Sequence, residues 1–273
     1  MSTISAADIN KLRQATGAGM MDCRKALTES NGDFEAAIDW LRKQGQKVAA
    51  KRSDREAKEG VVIAKTTADH KAGIVLCISC ETDFVSKNAE FVAFAQSIAD
   101  AAIEHNVTSA EALNEVSING AKIADMISDK LAAIGEKIEI SKFERIEAPY
   151  VSSYIHGANR MGVLVGLTVE ASEAGKDVAM QIAAMNPLAV DETSISEETI
   201  AREKEIAIEL VKAEGKPAEM AEKIAMGKLN KFFKDNTLMA QAFVKDGNKS
   251  VAEYLKSVHA DLKVTTFKRI ALG

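Results

Sequence analysis

The sequence predicts an α+β protein: a small N-terminal three-helix bundle, a duplicated hairpin-plus-helix core, and an inserted antiparallel helical hairpin. Three observations carry this reading. Apolar residues recur at helical spacing near the start of the chain, and the period then switches to that of strands. One strand-like stretch, Gly73-Ile-Val-Leu-Cys-Ile-Ser-Cys-Glu81, has a counterpart in Gly162-Val-Leu-Val-Gly-Leu-Thr-Val-Glu170. Between the second copy and the end lie two helical patterns separated by Glu214-Gly-Lys-Pro217.

Residues 1–57 form the first unit. Ile9 and Leu12 precede a break at Thr16-Gly-Ala-Gly19, and Met20, Cys23, Ala26 and Leu27 follow at helical spacing. Asp33 is an N-cap candidate for a third helix with Ala36, Ala37, Trp40 and Leu41 inward. Residues 42–58 carry seven Lys/Arg against Asp54 and Glu56, a solvated linker or helix extension. The first core half, 58–148, contains strands Val61–Thr67 and Gly73–Cys80, a helix over 88–105 with Phe91, Phe94, Ala95, Ile98 and Ala102 on one face, a helix over 121–134 stopped by Gly135, and a strand over 137–147. The second half, 149–190 with 236–273, repeats the hairpin and its helix and closes with a strand over 262–272. The insertion, 191–235, pairs a helix carrying Ile200, Ile206, Ala207, Leu210 and Val211 with one carrying Met220, Ile224, Ala225, Leu229, Phe232 and Phe233.

Composition excludes several roles. A net charge of -5 argues against binding nucleic acid by bulk electrostatics, and no apolar run is long enough to span a bilayer. The first residues lack the apolar core of a secretory signal, so a cytoplasmic protein is expected. Cys77 and Cys80 make a C-x-x-C, yet residues three apart on a strand point to opposite faces, and no second pair completes a zinc set. They read as small buried hydrophobes. The four histidines are scattered. Gly17-Ala18-Gly19 follows a helix rather than a strand, which makes it a helix break and not a phosphate loop. No catalytic motif is present, so no enzyme activity, cofactor or resident metal is expected, and the chain reads as a binding protein.

Several separated motifs resemble one family. Thr16-Gly-Ala-Gly-Met-Met-Asp-Cys-Arg-Lys-Ala-Leu27, Asn31-Gly-Asp33, Thr82-Asp-Phe-Val85, Tyr154-Ile-His-Gly157 and Gly162-Val-Leu-Val165 are similar, in that order, to bacterial elongation factor Ts. The resemblance spans nearly the whole chain. It implies a guanine-nucleotide exchange factor that binds elongation factor Tu, in its GDP-bound and nucleotide-free forms, and releases GDP. It further implies that Asp83 and Phe84, in a loop shaped by Thr82 and Val85, reach the partner's Mg²⁺ and phosphate region. Met20, Met21 and Lys25 match the docking surface of the N-terminal unit, Ile134 and Gly135 a secondary contact, and His156, Gly157 and Val244 the contact to a more distant partner domain. Many members continue into a further C-terminal module where this chain stops at Ile270-Ala-Leu-Gly273; a contact made by that module is expected to be absent.

Read from residues alone, these positions have plainer explanations too. Phe84 could fold back as a hydrophobic staple, Asp83 could be an N-cap, and His156 could be a satisfied strand-end residue. Met20 and Met21 are adjacent, so one of them is expected to be exposed. Surplus apolar residues on the helical hairpin could serve a homodimer. The alternative function is a ribosome- or RNA-associated module using the basic 42–58 segment, which would show steep salt dependence.

Overall fold

The computed structural model describes residues 4–52, 54–213 and 218–273. The chain opens with α1 (Ala6–Thr16), α2 (Met20–Glu29) and α3 (Phe34–Arg52). Ser5 and Asp8 form a reciprocal capping box on α1, and Gly17 ends it in the left-handed conformation (φ 69°), its N–H donating to the Arg13 carbonyl. Asp33 caps α3 as expected, its Oδ1 accepting from the Ala36 amide at 2.8 Å. Leu12, Cys23, Ala26, Leu27, Ala37 and Leu41 make the bundle's core, with Trp40 and Ile38 against it. Ala36, expected inward, faces solvent. The basic stretch is helix as far as Arg52, and α3 packs against a later helix of the first core half through Arg42 and Gly45.

β1 (Glu59–Thr66), β2 (Ala72–Cys80) and β5 (Glu139–Glu147) form one antiparallel sheet in the order β1-β2-β5. Between β2 and β5 lie α4 (Asp83–Ser86), α5 (Ala89–Glu104), α6 (Ala110–Glu115), the small β3–β4 hairpin (Ser117–Ile118, Ala121–Lys122) and α7 (Ile123–Ile134). β6 (Tyr150–His156) and β7 (Met161–Leu167) build the second sheet, followed by α8 (Ser172–Met185), α9 (Glu197–Ala213) and α10 (Ala218–Asn236). The β8–β9 hairpin (Ala242–Phe243, Asp246–Ser250), α11 (Val251–Val258) and β10 (Val264–Ala271) complete the chain. The second sheet has the order β10-β7-β6, so each sheet places the second strand of its hairpin in the centre.

The two sheets pack face to face, and the duplication is reciprocal down to single hydrogen bonds. The register that aligns Gly73 with Gly162 also aligns His70 with Asn159 and Val62 with Val151. The Val62 amide donates to the Asn159 carbonyl at 2.8 Å, and the Val151 amide to the His70 carbonyl at 2.6 Å. Each hairpin turn is thereby fastened to the other sheet. The glycines mark the closest approach. A Cβ on Gly73 would meet Val151 and Leu164 at 3.0 Å, and one on Gly162 would meet Val62 and Val75 at 2.9 Å. The third strands also correspond: Phe143-Glu-Arg145-Ile146 on β5 and Phe267-Lys-Arg269-Ile270 on β10 hold equivalent registers, with Ile146 opposite Gly73 and Ile270 opposite Gly162. Lys268 and Glu144 pair across the interface at 2.8 Å.

This packing explains why every residue of β2 is buried. Ile74, Leu76, Ile78 and Cys80 face α5 and its neighbours, whereas Val75 and Cys77 face the second sheet. The two cysteines therefore diverge, as their spacing requires. α5 presents Phe91, Phe94, Ala95, Ile98 and Ala102, and α8 presents Val178 and Ile182, as the periodicity predicts.

In the helical hairpin Ala207, Val211, Ala225 and Leu229 form the buried seam. Ile206 and Leu210, expected there, are exposed along with Met226. The expected turn at 214–217 and the side chain of Met220 lie outside the described residues. At the base, the Leu188 amide donates to Asn236, and those of Leu238 and Met239 donate to Ala189 and Val190, which brings the two chain crossings together.

Candidate functional site

The stretch Thr82–Val85 is a single helical turn rather than an open loop. Thr82 occupies the cap position with extended backbone, and Asp83 is the first helical residue of α4, not its cap. Lys87, one turn on, donates to Asp83 Oδ2 at 2.6 Å. That hydrogen bond, and then the ammonium charge, hold the Asp83 carboxyl below its ordinary value. The carboxylate is therefore ionised at neutral pH.

Phe84 is 86% exposed, which rules out the staple in this conformation. Val85, its neighbour, packs against the first core cluster and anchors the turn from below. α5 begins separately, capped by Asn88, whose Oδ1 accepts from Glu90 at 2.8 Å. In the second half α8 starts at Ser172 with no intervening turn. The extra turn that lifts Phe84 is thus specific to the first half.

Two carboxylates fix this turn in place, and sequence reasoning missed both. Glu136 accepts from the amides of Glu81 (3.1 Å) and Thr82 (3.0 Å) and from the Thr82 hydroxyl (2.7 Å). In return, Glu81 accepts from the Lys137 amide at 2.7 Å and pairs with Arg55 at 3.0 Å. No local periodicity signals such contacts, because the partners lie 26 to 56 residues apart. Gly135 sets them up: it ends α7 at φ 78°, its N–H donating to Leu131, and leaves Ile134 partly exposed beside it.

A cleft of about 1000 Å³ runs between the N-terminal helices, α4–α5 and α7. Lys25, Phe84, Val85 and Ile134 line it, so four of the residues singled out from sequence converge there. Its floor includes Leu41, Phe91, Phe94 and Met126. Lys25 lies over the Trp40 ring and Lys130 over the Phe94 ring, at 5.7 and 5.5 Å. Arg42 and Asp129 pair at 3.7 Å across it. Burial raises the Asp129 carboxyl, with the Arg42 charge opposing.

Met20 and Met21 open α2 and do not line the cleft. Both are exposed, by 57% and 72%, where sequence reasoning expected one; Gly19 caps the helix, and neither first-turn side chain reaches the bundle core. His156 ends β6, exposed, with its Nδ1 3.0 Å from the Tyr154 hydroxyl. Gly157 (φ 62°) begins the tight turn to β7, and the Asn159 side chain in that turn donates to the Val62 carbonyl at 3.1 Å. Val244 sits exposed between β8 and β9. Its amide donates to Gln181 Oε1 at 2.8 Å, and Lys245 next to it pairs with the buried Asp177 at 2.6 Å, so α8 holds this hairpin as well. These three residues lie in the second half, apart from the cleft.

Large apolar side chains left in water on a short turn and at helix ends suit a protein that works by binding other proteins. The comparisons with known proteins define the class as translation elongation factors. The profile of elongation factor TS matches residues 81–273. Over the full length of both chains, this one is 50% identical to elongation factor Ts of Christiangramia forsetii and 52% to that of Flavobacterium psychrophilum. Elongation factor Ts of Clostridium perfringens is 43% identical over 99% of this chain and 93% of its own. The chain belongs to the elongation factor Ts family.

Proposed function

We propose that the protein is a guanine-nucleotide exchange factor for elongation factor Tu, acting in the cytoplasm and carrying out no covalent chemistry of its own. The observation that carries this reading is the exposure of Phe84 on a turn tied down by Val85 and Glu136. An aromatic held out in water costs free energy unless a partner covers it. Phe84 acts as a wedge, and the ionised Asp83 beside it perturbs the surroundings of the partner's Mg²⁺, the largest local charge in a nucleotide site. Met20, Met21 and Lys25 dock the nucleotide domain, Ile134 and Gly135 make a secondary contact, and His156, Gly157 and Val244 hold a more distant domain.

The mechanism is coupling between two ligands on a third protein. If the factor binds nucleotide-free Tu more tightly than the GDP form, the factor must weaken GDP binding to Tu by the same ratio. A ten-thousandfold faster release needs the barrier lowered by about 5.5 kcal/mol. Geometry alone, from wedge and displaced ion, has to supply it.

The RNA-binding alternative has less support. Arg42, Arg55 and Lys58 of the basic segment pair with Asp129, Glu81 and Glu56. The test is titration calorimetry with Tu, nucleotide-free and with saturating GDP and Mg²⁺. Binding at least about tenfold weaker with GDP is expected, a coupling of about 1.4 kcal/mol. Equal affinities would contradict the proposal.

A further inference from the structure

We infer that Glu136 is a positioning residue for nucleotide release: its carboxylate sets the direction in which Asp83 and Phe84 are presented. The inference rests on the exchange reading above and deepens it.

A four-residue helix cannot hold itself in water, since one turn fixes several residues for very few hydrogen bonds. The α4 turn also lacks a side-chain cap. The Thr82 hydroxyl, which would ordinarily serve that purpose, donates instead to Glu136 Oε1 at 2.7 Å. The register of β2 against β5 ends at Ser79 opposite Glu139. Beyond it the two chains stay together through side chains: Glu136 takes the amides of Glu81 and Thr82, and Glu81 takes the amide of Lys137. This reciprocal clasp continues the ladder for the few residues that separate the sheet from α4. It also joins the turn to the end of α7, because Glu136 directly follows Ile134 and Gly135. Two of the proposed contact elements therefore move as one body.

The clasp depends on acceptor geometry more than on charge. In Glu136→Gln the amide oxygen still accepts both backbone N–H groups, and the amide nitrogen donates to the Thr82 hydroxyl, which can accept as readily as donate. Glu136→Ala removes every arm from this side. Neither change touches Met20, Met21, His156 or Val244, so docking should persist while the wedge loses its direction.

The experiment is stopped-flow release of a fluorescent GDP analogue from Tu, titrated with full-length wild type and both variants, with thermal melts and amide hydrogen exchange on the free proteins. Glu136→Ala is expected to lower the plateau rate about tenfold while the half-saturating concentration stays within about twofold, and to strip protection from the Glu81 and Thr82 amides. Glu136→Gln should keep both rate and protection within about twofold of wild type. A wild-type plateau in Glu136→Ala would overturn the assignment. So would a Glu136→Gln defect as large as that of Glu136→Ala, which would mean that charge matters and position does not. A defect confined to half-saturation would reduce Glu136 to a docking aid and overturn it too. If wild type fails to accelerate release, the exchange reading falls first and this role with it. Should Glu136→Ala lose its cooperative melt, Thr82→Val, which deletes only the hydroxyl arm, takes its place; an undiminished plateau there counts against the clasp.

Discussion

Phe84→Ala is expected to cut Tu-stimulated GDP release by roughly 30- to 150-fold, the kinetic equivalent of losing about 2–3 kcal/mol at a well-packed aromatic anchor. The melting temperature should hardly move. With 86% of its surface already in water, the ring contributes little to the free fold, and its removal leaves no cavity. A staple would behave in the opposite way, lowering stability and sparing exchange. Parallel melts and stopped-flow traces separate the two. Asp83→Ala should give a related defect that shrinks when Mg²⁺ is chelated, because the ion whose surroundings it perturbs is then already gone.

Two glycine-to-alanine changes should move stability in opposite directions. In Gly162→Ala the new methyl would sit 2.9 Å from Val62 and from Val75, in the interface where the two sheets meet. The neighbours are fully buried between the sheets, so relief requires the sheets to separate locally. Overpacking of that kind costs about 1–3 kcal/mol, or several degrees of melting temperature in a chain of this size. Gly227 lies on the exposed side of α10 with open space around it. There the same substitution only removes unfolded-chain freedom, and Gly227→Ala should gain about 0.5–1 kcal/mol. Denaturant titrations of both variants check the sign directly. Gly73→Ala, the reciprocal contact, should resemble Gly162→Ala.

The opposite signs trace back to what the sequence shows and what it hides. The Gly73 and Gly162 copies were legible because strands of that length keep their apolar content visible, and α5 and α8 because their faces repeat over several turns. The divergence of Cys77 and Cys80 followed from strand geometry alone. The equivalence of Phe143-x-Arg145-Ile146 and Phe267-x-Arg269-Ile270 was also written in the sequence. Pattern alone does not align the two, because the third strands follow the hairpins at unequal distances, with α9 and α10 interposed in one half only. Elements of two to six residues, such as α6 and the β3–β4 and β8–β9 hairpins, carry too few positions for any period to register.

Phe84, Val85, Lys25 and Ile134 of the candidate site are named by the family resemblance, and the fold brings them to one cleft. Whether Phe84 packed or projected depended on the separate turn of α4, which hydrophobic pattern does not specify. Met20 looked like part of the helical stripe of Cys23, Ala26 and Leu27, yet a residue in the first turn can point past the end of its neighbours' core. Glu136 and Gln181 could not be found at all. Their roles are long-range hydrogen bonds to backbone amides, and a Glu or Gln side chain making them looks no different in sequence from one in water.

The central claim is tested most directly by the rate at which preloaded fluorescent GDP leaves Tu as the wild-type protein is added. The account predicts a rate that climbs hyperbolically to a plateau, orders of magnitude above the intrinsic value and approaching the roughly ten-thousandfold that about 5.5 kcal/mol of barrier lowering represents. A dissociation rate that stays at its intrinsic value, at concentrations where calorimetry shows the complex formed, would contradict it.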